Sequence, residues 1–154
     1  MEEEEKQKAH RHFAASCFNG VWELLEKESR SEGENQLLRE MAHASLYHWL
    51  ERDDKEPKNV SIGLWLISRV YSVLGEGITS AFYAGECIKF SEHLPAFYFG
   101  YAYEAAARAA VVQGNWDERN ELIRIAESQL FRIRDEEERG MLQGDLEELK
   151  NAGV

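Results

Sequence analysis

The chain has 154 residues, with 18 Lys and Arg against 29 Asp and Glu, and a net charge of −11. That size is one ordinary domain, and a chain so acidic repels phosphate and anionic lipid, which excludes nucleic acid and membrane surfaces as expected partners. No apolar run reaches the ~20 residues of a membrane span, and the opening MEEEEKQK is the reverse of a basic, apolar export signal.

The spacing of apolar residues predicts seven helices. The first runs from about Glu5 to Lys27, with Phe13, Cys17, Val21 and Leu24 on one stripe. Ser29, Ser31 and Gly33 interrupt it. The second, to Arg52, carries Leu38, Met41, Ser45 and Trp49 at helical spacing. A polar break with Pro57 follows. The third spans about Asn59 to Leu74, and Gly75 and Gly77 bracket a turn. The fourth spans about Ile78 to His93. Pro95 opens the fifth, where proline suits a first helical turn, and Gly114 ends it. The sixth spans Trp116 to Ile133 and the seventh Asp135 to Lys150. No segment has the alternation of a half-buried strand.

Residues 59–116 hold 11 of the 17 aromatics with four acids and three bases, which marks the deepest part of the core. Residues 117–150 hold 11 acids and six bases, the pattern of a solvated capping layer. Six alanines between Ala102 and Ala110 predict a central helix closely flanked on both sides, so that Ala106→Leu is expected to overpack it. Cys17 and Cys87 stand alone in apolar stretches and read as free, buried thiols in a reducing compartment. A cytoplasmic location follows as the expectation.

Two stretches, from Ser61 and from Gly100, align at an offset that superposes Gly75 on Gly114. Each is a helix, a turn glycine and a second helix. This pattern resembles the tetratricopeptide repeat (TPR), with Tyr71 at its tyrosine position and Ala126 at a small position of its second helix. Trp65 falls one place beyond the tryptophan position, and Ala110 and Arg119 depart from the pattern. The strings VWELLE, MAHASLYHWL, WLISRVYSVLG and YAYEAAARAAVVQG also resemble a family of small, uncharacterised bacterial proteins. The resemblance implies an all-α fold of about seven antiparallel helices stacked as a TPR-like right-handed superhelix. It spans residues 1–154 as helix pairs at about 5–52, 59–93 and 95–133 and a cap at 135–150. It implies a bacterial source and no activity.

A TPR-like array lines a concave groove with the first helix of each pair. Matched positions are Ile62, Trp65, Arg69 and Ser72 in one copy, and Tyr101, Glu104, Arg108 and Val111 in the other. On the first helix, His12, Ser16, Asn19 and Glu23 make a similar polar stripe. Arg69 and Arg108 on one wall would hold a partner's carboxylate through bidentate bonds, with Trp65 and Tyr101 giving apolar contact. Alternatively Glu104 and Arg108, one turn apart, pair with each other. His43 and His48 are too far apart around a helix to share a face. A cluster of His10, His12 and His48 would need helix ends to converge. No phosphate loop, nucleophile elbow or dinucleotide fingerprint occurs, so no catalytic residue, metal or cofactor is expected. The expected function is a non-catalytic module that binds a protein or peptide through the groove. The alternatives are a small-ligand or enzymatic pocket using His48, His12 and Glu104, and a homo-oligomer, at least a dimer, formed through the aromatic middle.

Overall fold

The structure is a computed structural model that describes residues 1–153. Among these residues it is all-α, with no strand and seven α-helices. They are α1 Glu3–Leu25, α2 Glu32–Glu51, α3 Pro57–Val73, α4 Gly77–Ser91, α5 Ala96–Val112, α6 Trp116–Glu127 and α7 Glu136–Asn151.

Local chemistry sets the ends. Ser31 and Glu34 close a capping box at the start of α2, each side chain bonded to the other's backbone N–H. Pro57 opens α3 at a position where its missing N–H costs nothing. Asn115 and Asp135 cap α6 and α7 by accepting from the Glu118 and Glu138 amides. Arg30 donates to the Leu24 and Lys27 carbonyls and so closes the open end of α1.

The turns after α3 and α5 are built alike. The Gly75 and Glu76 amides bond back to Ser72 and Tyr71, and the Gly114 and Asn115 amides bond back to Val111 and Ala110. Gly75 (φ 77°) and Gly114 (φ 69°) supply the left-handed backbone this closing motif needs. The two aligned stretches therefore share a turn in three dimensions as well as in letters.

Short connections make successive helices antiparallel neighbours. Each helix packs on the next along the chain, and α5 packs on both α3 and α7 as well. Val21, Leu38, Leu66 and Val70 centre one core cluster across α1, α2 and α3. Ile123, Ala126, Leu142 and Leu146 centre another across α6 and α7 against α5. The alanine-rich α5 lies between them, with Ala102, Ala107 and Ala109 wholly buried. Ala106 is only half-buried, so the overpacking expected there belongs to its neighbours.

The sixth helix does not reach Ile133. It stops at Glu127, and a 3-10 turn follows at Leu130–Arg132. The Ser128 hydroxyl bonds the Ile125 carbonyl, and the turn swings Ile133 into the core at 3% exposure. A continuous helix would have kept the apolar spacing but aimed Ile133 elsewhere. No described helix is long and apolar enough to cross a membrane.

Candidate functional site

The odd-numbered helices share one face, and a cavity of about 500 Å3 opens there. α1 contributes Phe18 and Trp22, α3 contributes Trp65, α5 contributes Phe97 and Tyr101, and α7 contributes Asp145. Spacings of four residues set Phe18 with Trp22 and Phe97 with Tyr101 on single helix faces. The rings meet edge to face or tilted, as aromatic quadrupoles prefer. Trp22 and Trp65 have centroids 5.9 Å apart, and Tyr101 stands at 83° to Trp65.

Beneath Trp65 lies a buried ionic cluster. Glu104 is completely buried. Its Oε2 accepts from the Trp65 indole N–H at 3.0 Å. Its Oε1 accepts from Arg108 Nε at 2.8 Å and from Arg69 Nη2 at 3.4 Å. Arg108 Nη2 lies 2.6 Å from that same oxygen without hydrogen-bond alignment, and Arg69 Nε is buried without a hydrogen-bond partner among the described residues. Glu148 adds a longer ion pair to Arg108 at 3.8 Å. Burial lowers the pKa of Arg69, since its attraction to Glu104 is offset by the nearby Arg108 charge. Burial opposes the charge of Arg108 too, but Glu104, with Glu148 and Asp145 behind it, more than restores it and the pKa rises.

Tyr101 donates to Asp145 Oδ2 at 2.6 Å, tying α5 to α7. Burial, and then this bond to a carboxylate, push the Tyr101 hydroxyl far above the ordinary tyrosine value. The hydroxyl therefore remains a donor.

A smaller cavity of about 230 Å3 adjoins the first and shares Phe18 and Ile62 with it. Asn19 and Trp49 line this extension. A separate cavity is lined by Ser72, Arg108 and Glu148. Arg69 and Arg108 thus line different cavities, and both guanidiniums converge on the chain's own Glu104. That carboxylate holds the place between them that a partner's carboxylate was expected to take.

The histidines fall elsewhere. His10 and His48 face each other with Nδ1 atoms 2.9 Å apart, between Phe13 and Tyr47. His12 is exposed beside Phe13 and does not join them. His43 bonds the Tyr71 hydroxyl at 2.9 Å. No hydrogen bond links His12, His48 and Glu104, and no group of three His, Cys, Asp or Glu among the described residues is placed to hold a metal ion. Cys87 is buried in a cluster with Ser61 and Ser91, and burial pushes its thiol up to about 11. A thiol so held is a poor nucleophile.

Sequence reasoning found Trp65, Arg69, Tyr101, Glu104 and Arg108, which the fold does bring together. It missed Phe18, Trp22, Phe97 and Asp145. The first three carried a legible signal, a pair of aromatics one turn apart on a first helix. Asp145 did not, because it lies on a helix read as a cap. Compared with known proteins, the chain matches no family model, no curated protein and no solved structure.

Proposed function

We propose that the chain is a TPR-like superhelical array that works as a non-catalytic module, binding an extended peptide segment of a protein partner in the groove of its odd-numbered helices. The reading rests on one observation: two adjoining cavities share Phe18 and Ile62, so the groove is longer than a compact ligand requires. The aromatic walls suit a large apolar side chain as anchor, the kind of residue that dominates peptide interfaces. Counted together, Arg69 and Arg108 face the three acids Glu104, Glu148 and Asp145, which leaves one net negative charge at this end of the groove. The favoured segment therefore carries Lys or Arg beside its apolar anchor. This reading asks for no carboxylate on the partner. On this reading the module works in a bacterial cytoplasm, away from nucleic acid and membrane.

Displayed random peptides selected against the protein test it. Enrichment of an aromatic or large aliphatic residue flanked by basic ones is expected. Binding should be lost in Ile62→Trp, which fills the junction of the two cavities, while the melting temperature stays near that of the parent. No enrichment, or peptides that bind the variant equally, would refute the proposal.

A second reading has its own support. A cavity of about 500 Å3 is the size that holds a small molecule, and Arg69 and Asp145 offer polar contacts there. Thermal stabilisation by compact apolar ligands, absent in Ile62→Trp and with no peptide enriched, would favour it.

A further inference from the structure

We propose that the outer face of α4 is where two copies of this chain pair, their α4 helices antiparallel about a twofold axis. Ile78, Phe82, Gly85 and Lys89 follow one another at spacings of four, three and four, which places them on one seam of the helix. The three side chains on that seam are exposed. Ile78 is 82% exposed and Phe82 61%, and Phe90 extends the apolar surface to one side. A methyl added at Gly85 would meet no atom within 4 Å. A glycine inside a helix is destabilising relative to alanine, and no turn or close approach among the described residues requires one here.

The seam is complementary to itself. Its middle holds one large ring and, three residues on, a gap. A twofold axis passing between them sets Phe82 of each copy over the partner's Gly85. The same register lays Ile78 along the alkyl stem of the partner's Lys89. It also brings the ammonium of Lys89, which is bonded to Glu86 of its own chain, towards the partner's Glu76. A parallel pairing would instead set ring on ring and ammonium on ammonium.

Charge permits pairing at this face. The chain as a whole carries −11, so two copies repel across most approaches. Residues 77–91 contain one acid, Glu86, and one base, Lys89. The helix is neutral in a chain that is acidic overall. One helix pair buries less than a standard interface of ~1,600 Å2, so the dimer is concentration-dependent.

Sedimentation velocity from a few micromolar to several hundred micromolar tests this. The parent is expected to pass from monomer to dimer. Phe82→Glu and Gly85→Leu are each expected to stay monomeric, with helical circular dichroism and melting unchanged or, for the leucine, raised. Phe131→Glu, on another exposed face, is expected to dimerise as the parent does. Mixing Ile78→Cys with Lys89→Cys should give a disulfide-linked pair under mild oxidation, and Ile78→Cys alone should not. A parent that remains monomeric throughout, either α4 variant that dimerises like the parent, or a self-linked Ile78→Cys would each overturn the proposal.

Discussion

Glu104 and Arg108 stand one turn apart on α5 and form a buried ion pair, with Arg108 Nε donating to Oε1 of the carboxylate at 2.8 Å. Arg69 of α3 and the Trp65 indole reach the same carboxylate, so one acid joins two helices. Trp65 and Glu104, like Arg69 and Arg108, occupy matching positions in the two aligned stretches. The repeat thus places an indole donor and a carboxylate acceptor where adjacent helices meet.

Removing the acid should be costly. Glu104→Gln leaves Arg69 buried without its counter-charge and Arg108 with only the longer pair to Glu148, and breaking such a buried pair costs about 3–5 kcal/mol. Urea denaturation of the variant measures it. A loss below about 1 kcal/mol would mean that water or neighbouring acids already compensate the arginines. By the same logic Arg69→Ala and Arg108→Ala are expected to lower stability and not only to weaken binding.

Trp65→Phe keeps a ring in the groove wall and deletes the N–H. A hydrogen bond to a charged group contributes about 1.5–3 kcal/mol, and a loss in that range is expected. The loss should shrink sharply when the substitution is made in the Glu104→Gln background. Equal losses in both backgrounds would show that the indole bond contributes nothing.

Gly75 and Gly114 hold left-handed backbone at equivalent turns. Alanine at either position is expected to cost about 1–2 kcal/mol, since a Cβ there crowds the following carbonyl. Neither position has a neighbouring atom for that Cβ to strike. Thermal melts of the two single variants should therefore show similar, purely conformational losses.

Two half-buried histidines predict a pH dependence. Burial, only partly opposed by Glu40, holds His43 below its ordinary value of 6.5. Burial and then the neighbouring His10 do the same for His48. Folding therefore favours the neutral rings. Their contribution is complete above pH 6.5 and declines as pH falls through that value, because the unfolded chain then takes up more protons. Melting temperature is expected to fall between pH 7 and 5, and less so in His43→Gln, where Tyr71 keeps a polar neighbour. An identical decline in that variant would assign the effect to other groups.

The all-α fold was legible because its periodic stripes are long and its turns carry Gly, Pro, Ser and Asn where helices must end. The end of α6 was not. Its apolar spacing runs on through Leu130 and Ile133, while the backbone passes to i−3 bonds from Gln129 onward. The ionic cluster was half legible. The spacing of Glu104 and Arg108 announced a pair, whereas the approach of Trp65 and Arg69 depends on how α3 meets α5. Asp145 became part of the groove only through the packing of α7 against α5, which no short-range pattern encodes.

The most direct test of the groove is the four tryptophan indole signals in a proton–nitrogen NMR spectrum, recorded as a selected peptide is added. Trp22 and Trp65 line the larger cavity and Trp49 the smaller, whereas Trp116 packs against Gly153 and Arg119 away from both. The account expects the first three indole signals to shift on binding and that of Trp116 to stay in place. A bound peptide that moves Trp116 and leaves Trp22 and Trp65 unmoved would contradict it.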